Sequence, residues 1–198
     1  VLASIVLFNT FRSKPWPVYH SSINLEPFPD SALIHMSQAI QIPTISINDT
    51  ASIDTVAFRG FESYLSVSYP RIHQSLQKTM IKDFSFIFEW KGKNPVLAPI
   101  VLMSHYDVVP VEGAALLNWT EPPFSGKITD TCIWGRGSCD DKFGVISIVE
   151  AVEDLLRKGF TPERTIYLCF GHDEEVRGSG ARAIVDWFQQ RKIQPEMV

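Results

Sequence analysis

The clearest periodicity in the chain lies between residues 145 and 156. Val145, Ile148, Val149, Val152, Leu155 and Leu156 follow the i, i+3, i+4, i+7 spacing of one helix face. Gly159 stands where such a helix would stop. Two apolar runs flank this helix, Pro99 to Ser104 and Thr165 to Phe170. Continuous runs of that length predict strands buried on both faces. Each ends abruptly in a polar cluster. Upstream, Phe84, Phe86 and Phe88 alternate with Ser85, Ile87 and Glu89, which predicts another strand.

Four helices fall around these strands. Asp30-Ser31 is placed to cap a helix through Leu33, Ile34, Met36 and Ile40, which Pro43 stops. Asp54 is placed to cap a second, with Val56, Phe58, Phe61, Tyr64 and Leu65 on its apolar face up to Pro70. The 145–156 helix is the third. A fourth runs from Arg177 to Lys192, with Ala181, Ile184, Val185 and Phe188 on one side. Strands alternating with helices predict an α/β fold, a mainly parallel sheet flanked by helices. Residues 11–29, rich in Pro, Ser and aromatics, read as an extended lead-in. The catalytic or binding domain is therefore expected over residues 30–198.

Composition narrows the picture. The 198 residues are 45% hydrophobic, enough for one ordinary core. The net charge is -4 and no basic stripe appears, so a nucleic-acid partner has no electrostatic basis. Cys132, Cys139 and Cys169 form no C-x-x-C pair, which argues against cysteine-held zinc and against a paired disulfide framework. Cys169 reads as a small core residue. Val1 to Phe8 is nearly all apolar and is followed by Arg12 and Lys14. It falls short of the roughly 20 apolar residues of a membrane span. It fits either the remnant of an N-terminal signal anchor, the favoured reading, or an ordinary apolar terminus. Asn48-Asp49-Thr50 and Asn118-Trp119-Thr120 match the N-glycosylation acceptor pattern.

The candidate chemistry sits at the strand ends, where open parallel sheets bind ligands. The first buried strand runs into S-H-Y-D-V-V-P (104–110) and the second into G-H-D-E-E-V (171–176). Between them W-G-R-G-S-C-D-D-K (134–142) leads into the long helix. Together these bring His105, Asp107, Asp140, Asp141, Glu174 and Glu175 to one edge. Nitrogen and carboxylate donors of this kind suit a borderline cation such as zinc. His105 and Asp107 are two apart on extended backbone and point the same way, so Asp107 can fix the imidazole tautomer, or the pair can simply end the strand and cap the next turn. Asp140 can bridge two cations, or it can open a solvated helix start with Asp141 and Lys142. Of the Glu174-Glu175 pair, one can hold metal while the other moves a proton; otherwise they form a charged loop. His172 reads as structural.

The segments H-Y-D-V-V-P-V, W-x-x-P-P-F-S-G (119–126) and W-G-R-G-x-x-D-D-K occur in an order that resembles the co-catalytic zinc peptidases. That family includes aminoacylase, glutamate carboxypeptidase, succinyl-diaminopimelate desuccinylase and carboxypeptidase S. The resemblance covers roughly residues 30–198 and is strongest to the carboxypeptidase S and N-acyl-amino-acid hydrolase branch. It implies a zinc-exopeptidase-like catalytic domain with two zinc ions. His105 would bind one zinc, Asp107 would orient His105, Asp140 would bridge both ions, Glu175 would bind the second, and Glu174 would be the general base. It also implies a cis peptide between Asp140 and Asp141. The implied substrate is a small peptide or N-acyl amino acid with a free carboxylate.

The sequence departs from the family in carrying Ser138 where Ala is common, and in lacking the lid domain, a further acidic ligand and a last histidine. The chain is therefore expected to be an N-terminal part of a longer enzyme, inactive alone and a weak zinc binder. The missing lid would carry any homodimer contact. A membrane-anchored, secreted or vacuolar location is expected, with the cytoplasm left open. The alternative is a non-catalytic binding or scaffold domain descended from such an enzyme. The intact Glu174 speaks against it, because a vestigial site needs no base.

Overall fold

The computed structural model describes residues 2–13, 29–48 and 53–198. Val1, most of the expected lead-in and the Asp49-Thr50 part of one glycosylation pattern lie outside the described residues. The apolar N-terminus forms helix α1 (Leu2–Arg12), which is exposed along its whole length. Among the described residues no helix is long and apolar enough to cross a membrane.

Helix α2 (Asp30–Ile40) follows Pro29 without a side-chain cap, so the expected Asp30-Ser31 cap is not made. Asp30 instead lies inside the first turn, where its charge meets the positive helix end. The buried stripe is Ala32, Met36, Ala39 and Ile40, leaving Leu33 and Ile34 exposed. In α3 (Thr55–Ser68) the Asp54 cap is found, accepting from the amides of Val56 and Ala57. Phe58, Phe61 and Leu65 are buried, and Val56 faces solvent. Pro70 ends α3 and opens a short helix α4 (Pro70–Ser75), where its missing N–H costs nothing.

Strands β1 (Gln77–Ile81) and β2 (Ser85–Trp90) form a hairpin, turning at Lys82-Asp83 with φ of 40° and 39°. β1 has no apolar run and was not anticipated; the hairpin register rather than a buried face defines it. β3 (Ile100–His105), helix α5 (Lys142–Arg157), β4 (Ile166–Gly171) and α6 (Ser179–Gln190) follow. The Lys158 cap and Gly159, at φ 73°, close α5 where expected.

The sheet order is β1-β2-β4-β3. A sheet flanked by helices is as expected, but only β3 and β4 pair in parallel; β1–β2 and β2–β4 are antiparallel. The reason is connectivity. Only the β3–β4 step has a crossover helix between its strands, whereas a hairpin forces opposite directions. One face packs against α2, α3, α4 and α5 through Ile40, Phe58, Phe61, Phe86, Phe88, Val149 and Leu168. The other packs against α6 through Ile87, Val101, Tyr167, Cys169, Ile184 and Phe188. Cys169 is thus a core residue, as its setting in an apolar strand suggested.

Phe61 is fully buried and stacks on Tyr106, with ring centroids 4.8 Å apart and planes 4° from parallel. Phe61→Ala is expected to lower the unfolding free energy by about 3–5 kcal/mol, read from urea denaturation.

Candidate metal centre

Because β3 and β4 run in parallel with His105 opposite Gly171, the two polar clusters emerge side by side. The ladder continues one step past β3, the Tyr106 amide donating to the Gly171 carbonyl at 3.1 Å. The third cluster is brought in by the start of α5. Asp141 caps that helix, accepting from the Gly144 amide, and also accepts from the Ser104 hydroxyl at 2.5 Å. The helix start is therefore tied to β3. Gly144 is required at this approach, since a Cβ there would lie 2.6 Å from an Asp141 oxygen and 2.7 Å from Ser104 Oγ. The Asp140-Asp141 peptide is cis.

The three clusters do converge. His105 Nε2 lies 3.0 Å from Asp140 Oδ1 and 3.7 Å from Glu174 Oε2. One donor atom each from His105, Asp140 and Glu175 lie within 4.8 Å of one another. The opposite ring nitrogen, Nδ1, lies 3.2 Å from the backbone carbonyl of Asp107, to which it hydrogen-bonds, and 3.2 Å from Asp107 Oδ1. A proton on Nδ1 donated to Asp107 leaves Nε2 directed at the acidic cluster, as the i, i+2 spacing suggested. Asp107 is wholly buried, and its two oxygens also accept the amides of Glu174 and Glu175, at 3.1 Å each. One carboxylate thus ties the β3 end to the β4 end.

Charge is crowded here. Burial disfavours a charged His105, but hydrogen bonding and the charge of Asp107, with Glu174 and Asp141 beyond, outweigh it and push its pKa up to about 9. Burial, then the charge of Asp140, raises the Glu175 carboxyl. A proton held that strongly on His105 occupies the place of a cation. The nitrogen and carboxylate donors and the excess of negative charge fit a divalent metal of borderline softness.

Neighbouring acids play other parts. Asp173 is buried and caps α6, accepting from the amides of Ser179 and Gly180 at 2.8 Å and from the Ser179 hydroxyl. Those donors overcome its burial and lower its pKa. His172 packs edge-on against Phe58 and Phe84 and shares a hydrogen bond with Ser85 Oγ, a structural setting as expected.

Sequence reasoning missed two residues around the site. Lys142, read as a solvated helix start, is completely buried. Its ammonium donates to the carbonyls of Ala39 and Ile42, lies 5.1 Å from the Phe61 ring centroid, and has its pKa lowered by burial to about 7. Its place directly before an apolar helix face was the available signal. Ser46 donates to Asp107 Oδ2 at 2.6 Å across 61 residues of sequence, and no spacing rule reveals that contact.

The profile of Peptidase family M20/M25/M40 matches residues 101–198. A probable carboxypeptidase S-like 2 of Dictyostelium discoideum is 44% identical over 163 residues, covering 81% of this chain and 31% of that protein. The human N-fatty-acyl-amino acid synthase/hydrolase PM20D1 is 38% identical, covering 79% and 31%. The chain therefore spans about a third of the length of the curated relatives it matches. Among solved structures, the M20 family metallo-carboxypeptidase Sso-CP2 of Sulfolobus solfataricus superposes with a TM-score of 0.64. It is 21% identical, with 86% of this chain and 37% of that one covered, a likeness of fold.

Two outcomes follow from the charge balance. Asp107→Asn is expected to lower the pKa of His105 in the metal-free protein by about 1–3 units, followed by NMR titration of the ring. Proton and cation compete for Nε2, so metal affinity should increase about tenfold per pH unit as pH rises toward 9. A flat affinity profile between about pH 6 and 8 would remove His105 from the ligand set.

Proposed function

The chain belongs to peptidase family M20/M25/M40 through residues 101–198, and from that premise we propose that it forms part of a zinc-dependent hydrolase of amide bonds. The carrying observation is the meeting of His105, Asp140 and Glu175, with Glu174 beside them, at the end of the one parallel strand pair. In this reading His105 and Glu175 would each hold a zinc ion, and Asp140 would serve both. Bound zinc supplies Lewis acidity toward the scissile carbonyl and the attacking water.

The chain's own groups handle position and proton. Asp107 holds His105 in the tautomer that leaves Nε2 free, and through two amides it sets where the Glu174-Glu175 turn lies. The Glu174 side chain is 59% exposed and hangs over the cluster, open to solvent. In this reading it takes a proton from the attacking water and returns it to the departing nitrogen, which splits one costly charge separation into two transfers.

The substrate class follows from what the relatives' names have in common. A carboxypeptidase cleaves before a residue with a free carboxylate. An N-fatty-acyl-amino acid hydrolase cleaves an amide whose amine side carries the same carboxylate. A small peptide or N-acyl amino acid ending in that group is therefore the proposed substrate.

Glu174→Gln in the full-length protein is expected to lower kcat for an N-acyl amino acid or dipeptide by about 10²–10⁴-fold while zinc stays bound. Unchanged turnover would sink the assignment of the base. Elemental analysis should find two zinc ions per full-length chain. One ion would point to a mononuclear site, and bound zinc without turnover in the wild type to a binding domain.

A further inference from the structure

The buried carboxylate of Asp107 has four close donors, and three of them belong to the chemistry already described. His105 Nδ1 and the Glu174 amide meet Oδ1, and the Glu175 amide meets Oδ2. The fourth is the hydroxyl of Ser46, at 2.6 Å from Oδ2. It is shorter than either amide contact, and Ser46 is 1% exposed. No water reaches this carboxylate, which is 0% exposed, so losing a donor leaves an oxygen partly unsatisfied.

Ser46 is also held firmly. Residues 44–46 run parallel to residues 106–108, joined by a bridge between Ile45 and Val108. The Ser46 amide donates to the Val108 carbonyl at 3.1 Å and the Val108 amide to the Thr44 carbonyl at 2.9 Å. The Thr44 hydroxyl donates to the Tyr106 carbonyl at 2.5 Å. Two hydroxyls thus stand on one short segment. One bonds backbone beside the site, and the other bonds the carboxylate that orients His105.

We propose that Ser46 is a positioning residue of the metal centre, which fixes the plane of the Asp107 carboxylate so that Oδ1 faces His105 while Oδ2 holds the Glu175 amide. A carboxylate whose Oδ2 accepts two donors while Oδ1 accepts the Glu174 amide beside the His105 ring has one orientation. With the hydroxyl removed, Oδ2 keeps a single amide and the group can rotate, misaligning the imidazole and the Glu174-Glu175 turn together. The inference rests on the metal-centre reading above.

Thr44 supplies the control. Ser46→Ala and Thr44→Val each delete one buried hydroxyl from the same segment, but only the first touches Asp107. In the full-length protein, zinc affinity is measured by competition with a chromophoric chelator, and stability by thermal unfolding of the zinc-free form. Ser46→Ala is expected to weaken zinc binding about 10–100-fold, with Thr44→Val within about threefold of wild type at a comparable loss of Tm. Ser46→Cys, with its weaker donor, should fall between Ser46→Ala and wild type. Equal zinc affinities for Ser46→Ala and Thr44→Val would overturn the role of Ser46. Failure of the wild type to bind zinc would overturn the metal-centre reading instead, so the two failures are told apart.

Discussion

A fully buried carboxylate is the constraint around which this site is arranged. Asp107 has no contact with water, and an ionised group in that setting persists only when its oxygens are occupied by donors. The donors come from three separate stretches of chain: Ser46, the His105 ring, and the amides of Glu174 and Glu175. Satisfying one side chain therefore fixes three backbone segments against each other. The sheet gives the coarse placement, since β3 and β4 end together. Asp107 gives the fine placement, because the amides it accepts belong to Glu174 and Glu175, whose carboxylates stand in the acidic cluster beside His105.

Charge balance follows from the same arrangement. The buried amine of Lys142 is spent on the carbonyls of Ala39 and Ile42 at the end of α2, where the helix dipole favours positive charge. It does not neutralise the outward cluster of Asp140, Glu174 and Glu175. The hydrogen bond and charge of Asp107, with Glu174 and Asp141 beyond, raise the affinity of His105 for a proton, and burial with the charge of Asp140 makes Glu175 resist ionising. A divalent cation held there would relieve both effects, taking the place of the proton on Nε2 and screening the carboxylates.

Much of this was legible in the sequence, for physical reasons that differ by element. The α5 face and the β3 and β4 runs announced themselves because burial imposes a period on apolar residues. The candidates His105, Glu174 and Glu175 could be named because polar groups at the end of a buried strand have no packing role to fill, and Asp140 because it stands just before α5. What stayed hidden depended on contacts between distant segments. β1 belongs to the sheet through its hairpin with β2 and carries no apolar run, so the sheet looked more parallel than it is. Lys142 reads as solvent-facing because burying an ammonium needs acceptors, and these arrive from α2, about 100 residues earlier. Ser46 could not be found for the same reason.

The adjacent acids show what separates a ligand from a scaffold. Asp140 and Asp141 are neighbours, as are Asp173, Glu174 and Glu175, so neither charge nor position sorts them. Backbone donors do. Asp141 accepts from the Gly144 amide, Asp173 from Ser179 and Gly180, and Asp107 from Glu174 and Glu175. Each of these carboxylates has its lone pairs committed to peptide N–H groups and is fixed as part of the frame. Among the described residues, no backbone donor meets the carboxylates of Asp140, Glu174 or Glu175, and Asp140 keeps 76% of its side chain exposed. Asp140 Oδ1 and Glu174 Oε2 instead face His105 Nε2, at 3.0 and 3.7 Å. The structural acids cap helices and tie strands, and that is what leaves the other three without backbone partners and close together around His105.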